Sequence, residues 1–128
     1  MDPNLQILVV DDYSTMVRIV RKLLKTIGYE NVDEASNGEM ALGMIKQKSY
    51  GLIISDWNME PMTGYELLKN VRAAPETAKT PFILVTAESR PDNVAAAQKE
   101  GANEYLVKPF SAPVLKEKID KALAAVAA

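Results

Sequence analysis

Five polar residues that could carry chemistry stand at the ends of short apolar segments, where the strands of a sheet would end. They are Asp11, Asp12, Asp56, Thr86 and Lys108. Three carboxylates at one place repel one another, and either protonation or a bound cation must relieve that repulsion. A hydroxyl and an ammonium group beside a cation are suited to binding the oxygens of a phosphoryl group.

Taken alone, each of these residues has a simpler interpretation. Asp11 and Asp12 could cap the helix predicted after them, because aspartate accepts hydrogen bonds from free N–H groups and suits the helix dipole. Thr86 is typical of a strand, and Lys108 of a solvated surface. One capping aspartate would suffice, however, so the pair also favours a cation site, and both interpretations stay open.

The ligands available for such a cation are oxygens, because the chain has no histidine and no cysteine. A few carboxylates with water and a carbonyl group suit Mg²⁺, with Mn²⁺ as the alternative, better than zinc or copper. Asp56 could then be a third ligand or a nucleophile that forms an aspartyl phosphate. The same two absences exclude most serine, cysteine and zinc hydrolase schemes.

Composition sets the broad class. The chain has 128 residues, 48% of them hydrophobic, and a net charge of -2, which predicts one globular domain and does not suggest a nucleic-acid partner. The N-terminal stretch "MDPNLQILVVDD" is acidic where a signal peptide would be basic, and no apolar run approaches the roughly 18 residues that span a bilayer. We therefore expect no membrane association and a cytoplasmic location.

Five apolar segments of strand length alternate with helical patterns. The predicted strands are Leu5 to Val10, Val32 to Ala35, Leu52 to Ser55, Phe82 to Thr86 and Glu104 to Val107. This alternation predicts an α/β fold in which a doubly wound, five-stranded parallel sheet is flanked by five helices. In such sheets the ligand site lies beyond the carboxyl ends of the strands.

Residues with capping preferences mark several helix ends. Gly28 is predicted to end the first helix, and Asn37-Gly38 to precede the second. The patterns at 63–66 and 89–92 predict capping boxes for the third and fourth helices, with Pro91 in the first turn of the latter. Ser111 is predicted to open the last helix.

The stretches "LVVDD", "IISDWNMEPMTGYELL", "PFILVTA" and "GANEYLVKPF" resemble the receiver domain of bacterial two-component response regulators, in particular single-domain chemotaxis regulators. The resemblance spans nearly the whole chain and implies a flavodoxin-like strand order of 2-1-3-4-5. It also implies that residues 1–128 are a single receiver domain without an output domain, acting as a monomer.

The resemblance implies a role for each residue at the strand ends. Asp56 would accept a phosphoryl group from the histidine of a sensor kinase or a histidine phosphotransfer domain. Asp11 and Asp12 would position Mg²⁺, and the main-chain carbonyl of Asn58 would complete the protein ligands. The side chains that would contact the phosphoryl oxygens are those of Thr86 and Lys108.

Switching and dephosphorylation are implied in the same way. Thr86 would move inward on phosphorylation and Tyr105 would turn into the space behind it, altering the face made by the fourth helix, fifth strand and fifth helix. Asn58 and Glu88 would tune the loss of the phosphoryl group. The pair Lys108-Pro109 resembles the turn in which the family has a cis-proline.

The predicted output is binding of a downstream protein such as the flagellar motor switch, with a phosphate sink or a phosphorelay intermediate as the alternative. Glu60, with Pro61 after it, stands where the family usually has proline. Pro91 stands where a motor-binding regulator usually has a basic residue. These departures concern the partner more than the phosphorylation site.

Two other protein classes share parts of this pattern, and one surface has two interpretations. A Mg²⁺-dependent aspartyl-phosphate phosphatase usually has a second aspartate two residues after the nucleophile, where this chain has Asn58, so an enzyme with separate substrates is not expected. An FMN-binding module would have to receive a phosphate at the acidic stretch "DDYST", where two negative charges would repel it, so this class is not expected. A basic face on the first helix is either simply solvated or a dock for an acidic kinase surface; its residues are Arg18, Arg21, Lys22 and Lys25.

Overall fold

The computed structural model describes residues 2–87 and 90–127, which form alternating strands and helices. The strands are β1 (Ile7–Val10), β2 (Val32–Ala35), β3 (Leu52–Asp56), β4 (Phe82–Thr86) and β5 (Glu104–Val107). The helices are α1 (Ser14–Ile27), α2 (Gly38–Gln47), α3 (Gly64–Ala73), α4 (Pro91–Glu100) and α5 (Ala112–Ala127). Within the described ranges, no helix is both long and apolar enough to span a membrane.

The five strands are all parallel and lie in the order β2-β1-β3-β4-β5, which confirms the predicted fold class. Alternate strand residues point to opposite faces. Ile7 and Val9 pack in one core layer with α1 and α5, whereas Leu8 and Val10 pack in the other with α2, α3 and α4. Both faces are therefore covered, and the carboxyl ends of the strands form one common edge.

Three predicted boundaries differ from the structure, and the first is that of β3, which ends at Asp56 rather than Ser55. β1 begins at Ile7 rather than Leu5, because the Leu5 N–H is bonded in a turn to the Asp2 carbonyl. The predicted cap of α4, Ser89, lies outside the described residues, and Arg90 occupies the N-cap. The residue before a proline is pushed out of helical geometry, so the helix cannot begin before Pro91; Arg90 is extended, with φ -89° and ψ 127°.

The other predicted helix ends are confirmed. Gly28 ends α1 with φ of 121°, a conformation that costs a side-chain-bearing residue energy. Asn37 Oδ1 accepts a hydrogen bond from the Met40 N–H at 2.8 Å at the start of α2. Thr63 and Glu66 form a complete capping box at the start of α3, with both bonds at 3.1 Å. The first turns of α2 and α3 are thus held by their own side chains.

Candidate functional site

Three carboxylates converge at the edge of the sheet formed by the carboxyl ends of the strands. Asp11 and Asp12 follow β1, and Asp56 is the last residue of β3. Each offers one oxygen, and these oxygens all lie within 4.8 Å of one another. Asp11 and Asp56 are buried, whereas Asp12 is exposed. The group can therefore receive a cation from solvent on the side of Asp12.

The acid pair does not cap α1. The N-cap of that helix is Tyr13, whose side chain makes no capping hydrogen bond. Asp11 instead accepts a hydrogen bond from the Tyr13 N–H through Oδ1 at 3.0 Å, before the helix begins. The other carboxylate oxygen of Asp11, Oδ2, lies 3.5 Å from Nζ of Lys108. The capping interpretation of the pair is therefore wrong, and the cation-site interpretation remains.

Lys108, the first residue after β5, places its ammonium group among these carboxylates. Its Nζ atom lies 2.9 Å from Oδ1 of Asp56 and 3.5 Å from Oδ2 of Asp11. Its main-chain N–H donates to the carbonyl oxygen of Thr86 at 2.8 Å, which ties the two strand ends together. The peptide bond between Lys108 and Pro109 is cis, as the resemblance implied.

The electrostatics of the group show a shortage of positive charge. Burial raises the pKa of the Asp11 carboxyl, and the charge of Asp56 raises it further, against the lowering effects of the Tyr13 N–H and of Lys108. Burial by itself lowers the pKa of Lys108, but the hydrogen bonds and charges of Asp56 and Asp11 outweigh it and leave that pKa raised. One ammonium group therefore does not neutralise the site.

Thr86 and Tyr105 lie on neighbouring strands, Thr86 at the carboxyl end of β4 and Tyr105 at the second position of β5. Thr86 ends β4 and is buried with 4% of its surface exposed. Tyr105 pairs with Leu84 in the β4–β5 register and is half-buried. Its ring meets the Trp57 ring edge-on, with the centroids 6.3 Å apart. Tyr105 therefore contacts the residue that follows Asp56, although it is not part of the carboxylate group.

The remaining predicted site residues are placed less decisively. Asn58 is exposed in the loop after β3, two residues beyond Asp56. Glu88 lies outside the described residues. Glu60 is exposed, precedes a cis peptide bond to Pro61 and, within the described ranges, does not join the three-carboxylate group. The extra acid predicted near the cation is therefore not a member of the cluster.

An aromatic stack beside the site was missed by sequence reasoning. The ring of Tyr65, the second residue of α3, stacks on Trp57 with centroids 5.3 Å apart and an interplanar angle of 15°. Lys69, one turn later, places its Nζ 5.6 Å from the centre of the Tyr65 ring. The only signal in the sequence was an aromatic residue at the start of the third helix, and such a residue does not indicate which ring it stacks on.

A groove of about 820 Å³ lies between α4, β5 and α5. Val94 and Ala97 line it from α4, Tyr105 from β5, and Val114 and Lys118 from α5. Val114 is a large apolar side chain with 42% of its surface exposed. The groove thus presents an apolar surface that includes the predicted switch residue Tyr105.

The basic face of α1 lines a smaller pocket of about 360 Å³ at the β2 edge. Arg18, Arg21, Lys22 and Lys25 recur at helical spacing and are all exposed. Arg21 forms an ion pair with Glu34 of β2, so its charge is partly compensated. Arg18, Lys22 and Lys25 make no ion pair with another residue of the described ranges. They carry the positive charge that a partner would meet.

Comparison with known proteins agrees with this geometry. The family model described as response regulator receiver domain matches residues 7–120. Chemotaxis protein CheY-3 of Vibrio cholerae is 46% identical over 121 residues, covering 94% of this chain and 93% of that protein. Chemotaxis protein CheY of Pseudomonas aeruginosa is 46% identical over 117 residues, covering 91% and 94% respectively.

Solved structures give the same result. The chemotaxis protein CheY4 of Vibrio cholerae matches with a TM-score of 0.87 and 34% identity, covering 94% of this chain and 99% of that one. A response regulator receiver domain protein of Clostridium thermocellum matches with a TM-score of 0.85 and 32% identity, covering 94% and 95%. The chain therefore belongs to the response regulator receiver domain family, and its similarity is to chemotaxis regulators of the CheY type.

Proposed function

We propose that this protein is a chemotaxis-type response regulator that accepts a phosphoryl group on Asp56 from a sensor histidine kinase or a histidine phosphotransfer domain. The observation that carries the proposal is the position of Asp56, buried at the end of β3 between the acid pair and the ammonium group of Lys108. A carboxylate held there can attack phosphorus while neighbouring groups hold the phosphoryl oxygens.

The donor set fits Mg²⁺. Asp11, Asp12 and Asp56 offer hard oxygen ligands. Burial, and after it the charge of Asp56, raises the pKa of Asp11, and a bound cation would favour its ionised form. The main-chain carbonyl of Asn58 is proposed as a further ligand, and Mn²⁺ as a substitute ion. When bound, the ion supplies positive charge against which the phosphoryl oxygens are held.

In the proposed step, a carboxylate oxygen of Asp56 attacks the phosphorus atom of a phosphohistidine. The new O–P bond forms as the P–N bond breaks, and the released imidazole takes up a proton. Lys108 then exchanges its contact with Asp56 Oδ1 for the phosphoryl oxygens, and the Thr86 hydroxyl donates to one of them. Asn58 and Glu88 are proposed to control the attack of water that later removes the group.

The proposed output is a protein contact rather than turnover of a separate substrate. The phosphoryl group carries about -1.5 to -2 charges in place of the single negative charge of the Asp56 carboxylate, which draws Thr86 inward and opens space for the Tyr105 ring. Tyr105 lines the groove between α4, β5 and α5, so its movement would change that surface. We propose that this surface binds a downstream cytoplasmic protein such as the flagellar motor switch, with residues 1–128 acting as one monomeric receiver domain.

Trp57 is the chain's single tryptophan and follows Asp56, so its fluorescence provides the test. Mg²⁺ should change the signal, and acetyl phosphate should change it again in the wild-type protein. In Asp56→Asn the Mg²⁺ response should remain in weakened form and the second response should vanish. Absence of any acetyl phosphate response in the wild-type protein would reject the proposal.

Motor binding and a phosphate-sink or relay role are separated by a second measurement. Deletion of the gene should change the direction or frequency of motor reversal if the phosphorylated surface binds the switch. A change only in the time taken to terminate signals would instead assign the sink or relay role. Sustained hydrolysis of simple phosphate esters by the purified protein would favour the aspartyl-phosphate phosphatase.

A further inference from the structure

The first residue of α3 lies directly against the main chain of Asp56. A β carbon added at Gly64 would stand 2.0 Å from the Asp56 carbonyl oxygen and 2.9 Å from its carbonyl carbon. It would also stand 3.1 Å from Cδ2 of Leu84. Contacts under 3.0 Å do not occur for real β carbons, so only a residue without a side chain permits this approach.

Hydrogen bonds fix the helix start and the strand end relative to each other. The Gly64 N–H donates to the carbonyl oxygen of Trp57 at 2.9 Å, and the Trp57 N–H donates to that of Val85 at 2.8 Å. The capping box of Thr63 and Glu66 holds the turn that contains Gly64. The segment that carries the Asp56 carboxylate is thus held between β4 and the first turn of α3.

Neither side of this contact can yield without cost. Leu84, which would block movement towards β4, is fully buried. The helix α3 buries Leu67, Leu68 and Val71 in the core, so moving it outwards opens cavities. A methyl group at Gly64 must therefore displace the main chain of Asp56, the start of α3, or both, by about 1 Å. A misplacement of that size can cost about 100-fold in rate.

We propose that Gly64 is a positioning residue for phosphoryl acceptance, because its missing side chain sets where Asp56 presents its carboxylate to the cation and the incoming phosphoryl group. This inference rests on the proposed function of Asp56. It assigns to the start of α3 a role in the reaction, in addition to its role in the fold.

Two other glycines provide matched controls. A β carbon at Gly51 would meet the Leu5 side chain at 2.3 Å, but Gly51 precedes β3 and lies at the end of that strand opposite to Asp56. A β carbon at Gly43, inside α2, would meet no atom within 4 Å. The three alanine substitutions therefore separate crowding at the site, crowding elsewhere and no crowding.

The test measures the rate of phosphorylation by acetyl phosphate at saturating Mg²⁺, followed by intact-protein mass spectrometry, together with thermal unfolding. Gly64→Ala should lower the rate on the order of 100-fold in the folded protein. Gly51→Ala meets only the end of the flexible Leu5 side chain, which can turn away, so it should change the unfolding temperature little. Its phosphorylation rate should stay within about 2-fold of wild type, since the contact lies away from the site. Gly43→Ala should lower neither quantity.

A second variant covers the case in which Gly64→Ala does not fold. Thr63→Ala removes the cap that holds the Gly64 turn and adds no atom near Asp56, so it should slow phosphorylation several-fold more than it changes Mg²⁺ affinity. A wild-type rate in Gly64→Ala, or in Thr63→Ala where only that variant folds, would overturn the inference while the proposed function stands. A wild-type protein that accepts no phosphoryl group would overturn both.

Discussion

The ammonium nitrogen of Lys108 lies 2.9 Å from Oδ1 of Asp56, so a cation already touches the predicted phosphoacceptor before any phosphoryl group arrives. The contact is largely shielded from solvent, since the Asp56 side chain is 7% exposed and that of Lys108 is 24% exposed. In this environment the pair has two opposing effects, because the same charge that attracts a phosphoryl group repels a metal ion.

Lys108→Gln should therefore tighten Mg²⁺ binding and slow phosphorylation. Removing a positive charge beside the three carboxylates favours a divalent cation by roughly 3- to 10-fold, since the screened Coulomb terms at such distances amount to about 1 kcal/mol. Titration of Trp57 fluorescence with Mg²⁺ and then with acetyl phosphate measures both. Lys118→Gln is a suitable control because Lys118 is also partly buried and pairs with Glu104 at 3.4 Å. Weaker Mg²⁺ binding in Lys108→Gln alone would contradict the expectation.

Asp11 and Asp12 should respond differently to amidation. Burial and the charge of Asp56 raise the pKa of Asp11, so its ionised form destabilises the metal-free fold, and that cost disappears as the pH falls through the raised pKa. Asp11→Asn should raise the metal-free stability by about 1 kcal/mol. Asp12 is exposed, and Asp12→Asn should stay within about 0.5 kcal/mol of wild type.

Thermal unfolding with and without Mg²⁺ measures this difference. In the wild-type protein Mg²⁺ should raise the unfolding temperature, because a ligand that binds the folded state stabilises it. Asp11→Asn should lose most of that increase, and Asp12→Asn should need a higher Mg²⁺ concentration to reach it. A metal-free Asp11→Asn protein less stable than wild type would show that the Lys108 contact outweighs the cost of burial.

Asp33 and Tyr50 form a pair that should control stability at both ends of the pH range. The Tyr50 hydroxyl donates to Asp33 Oδ2 at 2.6 Å and, with Lys48, holds the pKa of Asp33 below its ordinary value. A lowered carboxyl pKa contributes stability above about pH 4 that is lost as the pH falls through it. Burial and the bond to Asp33 raise the pKa of Tyr50, so its contribution is lost above about pH 10.

Urea unfolding from acid to alkaline pH measures the effect of this pair. Asp33→Asn should lower the free energy of unfolding at pH 7 by about 1 kcal/mol, with a difference from wild type that shrinks below about pH 4. Tyr50→Phe should keep part of the loss of stability at acid pH, because Lys48 still pairs with Asp33 at 2.9 Å. A difference between Asp33→Asn and wild type that does not change with pH would contradict the assignment of this stability to the ionised Asp33 carboxylate.

Tyr29 should behave in the opposite way to Tyr50. Its side chain is buried, and among the described residues its hydroxyl has no hydrogen-bond partner. Tyr29→Phe should therefore raise the free energy of unfolding by about 1 kcal/mol, whereas Tyr50→Phe should lower it by a similar amount. Chemical denaturation of the two variants side by side measures the contrast. A loss of stability in Tyr29→Phe would mean that a buried water satisfies the hydroxyl in solution.

The basic face of α1 should affect phosphorylation by a kinase but not by a small donor. Because Arg21 pairs with Glu34, the informative reversals are Arg18→Glu and Lys22→Glu. Together they should slow transfer from the kinase by roughly 10-fold or more at low salt and leave the acetyl phosphate rate unchanged. Lys79→Glu with Lys99→Glu changes the net charge equally outside this face. Equal slowing with both donors would reject docking and leave a merely solvated helix face.

Local patterns predicted the elements and the family motifs predicted the site, but contacts between distant segments left no local signal. Strand-length apolar runs and the capping patterns of Asn37 and Thr63 act within a few residues, so they could be recognised directly. The strand order came from the resemblance to receiver domains, since the runs themselves do not say which strand pairs with which. The convergence of Asp11, Asp56 and Lys108 follows once that order is known.

Arg72 illustrates what could not be predicted. Its guanidinium group donates to the carbonyl oxygens of Gly101 at 3.0 Å and Thr80 at 2.6 Å, and to Asn103 Oδ1 at 3.0 Å. In the sequence it is one more charged residue on a helix, and these acceptors lie in two different loops. The contact of Gly64 with Asp56 escaped for the same reason, because a glycine at the start of a helix does not indicate what lies against it.

The convergence of three carboxylates on one ammonium group also determines which charge of metal ion would balance the site. With every group ionised, the cluster carries three negative charges and one positive charge, and a divalent ion brings the total to zero. A monovalent ion would leave the carboxylates underbalanced, and a trivalent ion would leave a surplus that opposes release of the phosphoryl group. The proposed phosphorylation of Asp56 would then add about one further negative charge to a balanced site. This extra negative charge would lie at the strand ends that carry Thr86 and Lys108. Movement of these two side chains towards it would link phosphorylation to a change of shape.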